Sequence, residues 1–449
     1  MKSNEFLTLL RGAAFIFACR FTGAALTFIT QVILARWMGV EQMGSYVFAF
    51  SVCILLTTMS GLGFPAASVR FIGAALAHRR SDHILGFVRR SLQVSLALSL
   101  GVVLIGGLLV LLAEGLVPDD RRFPIYIALL TVPIFALLNS RASVAIALSW
   151  FPTAFLPGTV LRPLLFLSLV GAVLYSTGSL SASKAMALQL IAIALVLVLQ
   201  MVVVGHLLRN TFPENKRSYE TRVWVRTAAY LLVISLFTNY FLEINVFISG
   251  MLLDNGQLAI FNASFRTAAL IMFGLFAVDA ITMPKVSKLY AAGDTADLQI
   301  IVTQAARLRF FGALVAAIAL IIFGKSILAL FGEPFIVGYK VLLVLTAVQV
   351  INAAFGPVAQ VLSVTGNQKL CLRVFTHSLF IMLALHPTPI LNFGLVGAAW
   401  TVVIVVLIQS TWLHALALRS IGIRTSPFYD SSRWAKKRRA RRALCERIA

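Results

Sequence analysis

The chain has 449 residues, 60% of them hydrophobic and 12% charged, with a mean hydropathy of +0.93. A soluble chain carries about twice that share of charge, so too little polar surface is available here to face water. A soluble enzyme, a disordered chain and a secreted disulfide scaffold are excluded, which leaves a polytopic membrane protein. Lys and Arg total 38 against 16 Asp and Glu, a net charge of +22. In a membrane protein that excess belongs to cytoplasmic loops, and no nucleic-acid partner is expected. The four cysteines (Cys19, Cys53, Cys371, Cys445) have no metal or redox spacing and read as small apolar residues.

Apolar stretches long enough to cross a bilayer fall near 12–35, 44–63, 91–113, 124–148, 155–176 and 185–208. A second set follows near 227–250, 257–283, 308–331, 341–365, 371–391 and 393–418. In lipid each must be a helix, because every backbone polar group needs an internal partner. The first is too long for the apolar region of a signal peptide and no small-residue cleavage site follows it promptly, so it reads as a retained helix. An inside N-terminus puts 29 of the 38 basic residues on the cytoplasmic face and 6 on the other, with Arg20, Arg162 and Arg266 within spans. Both termini are therefore expected to be cytoplasmic.

The fold class expected is all-α and polytopic, with about twelve transmembrane helices in two six-helix lobes. The lobes are residues 1–208 and 227–419, joined by a cytoplasmic linker at 209–226 and followed by a basic tail at 420–449. A faint repeat supports duplication: Gln42, Phe50 and Leu55 recur as Gln257, Phe265 and Leu270, and Gly178 falls near Gly394. Duplicated lobes around a central cavity are a common architecture of secondary transporters. The tail's run from Arg433 to Arg442 reads either as a disordered topological anchor or as a patch attracted to anionic headgroups.

Charges inside spans are expensive, about 2.5–3.5 kcal/mol each even on the lenient insertion scale, and so mark candidate sites. Arg20 shares a helical stripe with Gly23, Thr27 and Gln31. Ser235, Asn239 and Glu243 form a second stripe, and Gln349, Asn352, Gly356 and Gln360 a third. Asn262 precedes Arg266 by one turn. These stripes read either as the lining of a hydrated interior between the lobes or as hydrogen-bonding glue. Arg20 and Arg266 lie too deep for easy snorkelling, and Arg suits bidentate binding of phosphate oxygens. Arg162, between Pro157 and Pro163, could be presented by a broken helix. Glu243 is a candidate partner or proton carrier; Asp279, near a helix end before Pro284 and Lys285, reads as a structural residue or as a second ion-coupling candidate. No nucleophile elbow, phosphate-cradling glycine loop, close carboxylate pair or metal-ligand spacing is present, so neither catalysis nor a cofactor is expected.

The stretch from Leu34 to Phe71 resembles the opening of Wzx-type polysaccharide flippases. Its marks are Ala35-Arg36, Gly39, Gly44-Ser45-Tyr46, Gly61-Leu62-Gly63 and Val69-Arg70-Phe71. The late stretch Phe393-Gly394-Leu395-Val396-Gly397-Ala398-Ala399, with Gly366, is similar to their last helices. These are packing and turn motifs, so they speak to family more than to substrate. The family shares a superfamily with multidrug efflux pumps (MATE) and lipid II flippases. The resemblance implies two six-helix lobes in a V, alternating access, and export of an undecaprenyl-diphosphate-linked oligosaccharide across a bacterial inner membrane. It also implies a place in O-antigen or exopolysaccharide synthesis, beside glycosyltransferases and a polysaccharide polymerase. Cavity arginines hold the diphosphate in such proteins, and the matching positions are Arg20 and Arg266. Lipid II flippases carry a further Arg in the second helix and two further helices; span 44–63 has no basic residue, which favours the polysaccharide branch. Two other readings stand beside this one: an ion-coupled multidrug antiporter on the same architecture, and a polysaccharide polymerase or ligase, which would need a large outer loop.

Overall fold

The computed structural model describes residues 3–112, 115, 118–213 and 217–430. Among these every regular element is helical, as segments immersed in lipid require. The basic run 433–442 and Cys445 lie outside the described residues.

Helix α1 (Ser3–Ser60) carries the first two expected spans, turned at Gly39, whose φ of 73° leaves the helical region. A short α2 (Phe64–Ala77) follows, then α3 (Ser81–Leu112) and α4 (Asp119–Ala147). The fifth span is assembled from α5 (Phe151–Phe155), a π-helical turn (Leu156–Leu161) and α6 (Arg162–Thr177). The sixth is α7 (Ala182–Thr211). The seventh is α8 (Thr221–Asn239) and α9 (Phe241–Leu252), parted at Tyr240; the eighth is α10 (Asn255–Ala269) and α11 (Ile271–Ala291), parted at Leu270. After α12 (Thr295–Phe331) and a 3-10 turn (Glu333–Gly338) the tenth span is α13 (Tyr339–Ala354) and α14 (Val358–Val364). α15 (Gln368–Leu385) and α16 (Pro387–Ile421) complete the set.

Ten helical runs among the described residues are long and apolar enough to cross a membrane. The difference from twelve has a structural source. Residues 14–77 form one continuous run holding two expected spans, and the seventh span, split at Tyr240, is not among the ten. Gly178 and Gly394, matched across the two halves of the sequence, both have positive φ (65° and 56°), at the end of α6 and inside α16.

By internal contacts the chain divides into residues 1–262 with 330–332, and residues 263–329 with 333–449. The polar segment 209–226 thus lies within the first unit. The reason is the packing of the seventh span on the first six. Trp224 meets Phe87 edge-on at 5.3 Å, and Phe87 meets Phe64 at 5.7 Å, all three almost fully buried. Ile72, Ile84 and Ala228 belong to the same core.

The second unit has a core of Val286, Leu298, Val302, Val361 and Ile423. Ile423 belongs to the segment after α16, the start of the expected basic tail. The described part of that tail is docked. Gln299 accepts from Arg424 N at 2.9 Å and donates to Arg424 O at 2.6 Å. Arg307 Nε donates to Pro427 O at 3.0 Å, and Thr425 Oγ1 donates to Phe355 O at 2.7 Å. Side chains of α12 thereby partner backbone groups of a stretch that has no regular structure of its own, and its Thr425 in turn caps the carbonyl that ends α13.

Candidate functional site

Several sequence-predicted residues, Arg162, Asn239, Glu243, Arg266 and Gln360, lie beside interruptions of the spans. The fifth span shows why. Pro157 has no N–H, so the carbonyl of Thr153, one turn back, loses its helical partner. Gln200 Nε2 donates to that carbonyl at 3.1 Å from α7. Pro163 likewise removes a donor one turn after Thr159, whose carbonyl faces the bare Cα of Gly23; a Cβ there would sit 2.5 Å from it. Two prolines six residues apart therefore open the helix into a π turn, a feature frequent at functional sites.

Arg162 is the first residue after this turn. It is half-buried, lies 5.3 Å from the Phe135 ring centroid, and its Nε has no hydrogen-bond partner among the described residues. On α1, Arg20 is exposed and lies 5.8 Å from the centroid of Phe155, the residue before the π turn. Among the described residues no carboxylate is within ion-pair distance of Arg20. Arg20 and Gly23 thus share the face of α1 that meets the fifth span. Thr27 spends its hydroxyl on the Gly23 carbonyl at 2.7 Å. Gln31 is buried and accepts from Asn262 Nδ2 at 3.1 Å. The two stripes therefore meet at their Gln31 and Asn262 ends.

Glu243 stands in the first turn of α9, immediately after the break at Tyr240, where the positive end of a helix dipole favours a carboxylate. Asn239 ends α8 on the other side of that break; its side chain is outside the described set. In the second unit Arg266 is half-buried in the last turn of α10, where the negative dipole end favours a cation. The tenth span breaks at Gly356 and Pro357, between the half-buried Asn352 and Gln360. One turn before Asn352, Gln349 is buried with its Oε1 unpartnered among the described residues. Discontinuous helices with polar side chains at the gap are the usual construction of transporter binding sites.

Asp279 sits apart from these. It is buried and ion-paired with Arg309 of α12 through Oδ2 and Nη1. The basic-residue sorting counts Arg309 among the cytoplasmic cations, at the edge of the ninth expected span; in the structure it lies inside α12 and is 3% exposed. The pairing was not legible from spacing, because 30 residues separate the partners. No cluster of three or more His, Cys, Asp or Glu able to hold a metal occurs among the described residues. Cys19, Cys53 and Cys371 are buried and free.

Residues 9–289 match the family model described as polysaccharide biosynthesis protein. Two curated relatives match over shorter stretches. Stage V sporulation protein B of Bacillus subtilis is 30% identical over 136 residues, 29% of this chain and 26% of that protein. The "Probable low-salt glycan biosynthesis flippase Agl15" of Haloferax volcanii is 23% identical over 192 residues, 42% of this chain and 40% of that protein. The chain thus aligns with less than half the length of either. Among solved structures, an inward-facing multidrug resistance MATE family transporter of the MOP superfamily superposes with a TM-score of 0.73 at 16% identity, over 89% of this chain and 94% of that one. The lipid II flippase MurJ in an inward closed conformation gives 0.72 at 14% identity, over 91% and 87%. At these identities the likeness is one of fold.

Proposed function

Because this chain belongs to the polysaccharide biosynthesis protein family, we propose that it flips an undecaprenyl-diphosphate-linked oligosaccharide from the cytoplasmic to the outer leaflet by alternating access. Arg20, Arg266 and Arg162 take the diphosphate oxygens. Thr27, Gln31, Asn239, Asn262 and Gln360 meet the sugars, and Glu243 serves ion coupling. The location is a bacterial inner membrane with both termini inside, in a pathway that includes glycosyltransferases and a polymerase.

The observation that carries the reading is Arg20: a guanidinium eight residues into the first expected span, exposed, and with no carboxylate at hand among the described residues. A cation so placed costs several kcal/mol in lipid and is retained where water and an anion reach it. A diphosphate crossing unaided would be a buried anion, and charge-assisted hydrogen bonds from planar guanidinium groups replace its hydration. The polyprenyl tail meanwhile stays in lipid. Glycan flipping also agrees with the Haloferax relative, named as a probable glycan biosynthesis flippase, and with the fold shared with the lipid II flippase.

The test is polymer export in a cell lacking its own copy, with protein abundance measured for each variant. Arg20→Ala and Arg266→Ala should each lower export about tenfold or more, the worth of one charge-assisted contact of roughly 1.5–3 kcal/mol. Arg266→Lys, which keeps the charge and loses the fork, should fall between alanine and the parent. Full export by both alanine variants at normal abundance sinks the cationic site. Efflux of a cationic drug without export of glycan would select the antiporter reading instead.

A further inference from the structure

Arg121 stands where the span pattern expects an outer loop, yet it is only 6% exposed. It is the third residue of α4, and the turn that leaves α9 engages its whole guanidinium. Nη2 donates to Leu253 O at 3.0 Å, Nε donates to Asn255 Oδ1 at 2.5 Å, and Nη1 donates to Gly250 O. The Phe48 ring covers the group, with Cζ 4.8 Å from the centroid. Asn255 in turn donates through Nδ2 to Asp120 Oδ2, and Ser45 Oγ donates to Asp120 O at 2.8 Å.

Each part of this seat has a physical reason. The Gly250 and Leu253 carbonyls close α9, and a helix C-terminus with unpaired carbonyls attracts a cation. Close approach is needed to reach them. A Cβ on Gly44 would lie 1.8 Å from Asn255 O, and one on Gly250 would lie 2.4 Å from the Phe48 ring. Gly44 is thus the residue that lets the turn press onto α1. By the span pattern, Ser45 and Phe48 begin the second span, Asp120 and Arg121 lead into the fourth, and residues 250–255 join the seventh to the eighth. The basic-residue sorting puts all of these ends on the outer face. Seven residues further along α10, about 10 Å deeper at helical rise, Asn262 and Gln31 make a second polar closure.

We infer that Arg121 is the latch of an outer gate. Its grip on the 250–255 turn holds the first six spans to the seventh and eighth while the outward path is shut, and it lets go each time the transported headgroup leaves. The inference rests on the alternating-access reading and adds to it the residue that holds one of the two states. Arginine suits the task because one planar group meets three acceptors together, so the contact is made or lost as a unit. On release the guanidinium and the carbonyls meet water, which offsets most of the hydrogen bonding lost and keeps the two states close in free energy.

The experiment reads the gate without substrate. The native cysteines are replaced by serine, Ala259→Cys is introduced on α10 one turn inward of Asn255, where the closed state buries it, and an impermeant maleimide is applied to right-side-out membrane vesicles. Labelling should be slow with Arg121 present and about tenfold faster with Arg121→Ala, the shift expected when one charged contact stops favouring the closed state. Arg121→Lys should fall between. An unchanged rate in Arg121→Ala overturns the latch; where that variant is scarce, Asn255→Ala is compared by the same standard. In a second arm, Asp120→Cys and Asn255→Cys are bridged by a short reducible thiol cross-linker. Bridging should stop glycan export and reduction should restore it; export undiminished by the bridge overturns the latch. Faster labelling in a protein that exports no glycan in any form would keep the latch and sink the flippase reading. Unchanged labelling with normal export would do the reverse.

Discussion

Asn262 donates its amide to Gln31 Oε1 across 3.1 Å, linking residues 231 positions apart. The contact joins the polar stripe of the first span to that of the eighth, and both side chains are buried. Helical rise places Arg20 three turns from this contact along α1 and Arg266 one turn from it along α10. In the proposed topology both steps lead toward the cytoplasm.

A buried amide pair of this kind should show strong coupling. Gln31→Ala or Asn262→Ala leaves the facing amide short of a partner, at a cost of about 1–3 kcal/mol. Gln31→Leu combined with Asn262→Leu should cost less than the two single leucine changes added together. Thermal unfolding in detergent measures all of these, and strict additivity would count against the contact.

Asp279 and Arg309 give a sharper case. Asp279→Ala leaves Arg309 buried and uncompensated, and loss of about 3–5 kcal/mol is expected. Asp279→Ala with Arg309→Met should recover most of that stability. Export by the stable double variant then separates two roles. Near-normal export makes the pair structural; loss of export in a stable protein makes Asp279 a coupling carboxylate.

The π turn of the fifth span predicts a compensating pair. Gln200→Leu strands the Thr153 carbonyl and should lower the melting temperature, since an unsatisfied buried carbonyl costs about 1–3 kcal/mol. Pro157→Ala supplies the missing N–H, so Pro157→Ala with Gln200→Leu should melt above Gln200→Leu alone. If the double variant melts lower, the carbonyl is not what Gln200 serves. Pro157→Ala by itself should reduce export, because a regular helix re-aims Arg162.

Truncation distinguishes the docked strap from the basic run. A chain ending at Asp430 keeps the Gln299, Arg307 and Phe355 contacts and should melt near the full-length value. A chain ending at Ile421 loses them together with the buried Ile423 and should melt several degrees lower. Equal melting of the two truncations would mean the strap adds no stability.

Much was fixed locally. Composition and apolar run length sufficed for a multi-pass helical membrane protein, because lipid permits no other pairing of the backbone. The depth of Arg20 and Arg266 within their spans, the helical period of Gln31 and Asn262, and the prolines at 157 and 163 were legible too, since each depends on neighbours within a few turns. What the tertiary structure decided depends on partners far apart in sequence. Arg309 counted only as one of the cytoplasmic cations and is buried against Asp279; Arg121 looked like a loop cation and clasps a turn about 130 residues away. The seventh span breaks at Tyr240 with no proline or glycine at that position to announce it, and the segment after Ile421, read only as the start of a basic tail, docks on α12. A span's length and polarity follow from its own residues. Which charge meets which carbonyl depends on how the helices pack, and a pattern of single spans carries no record of that.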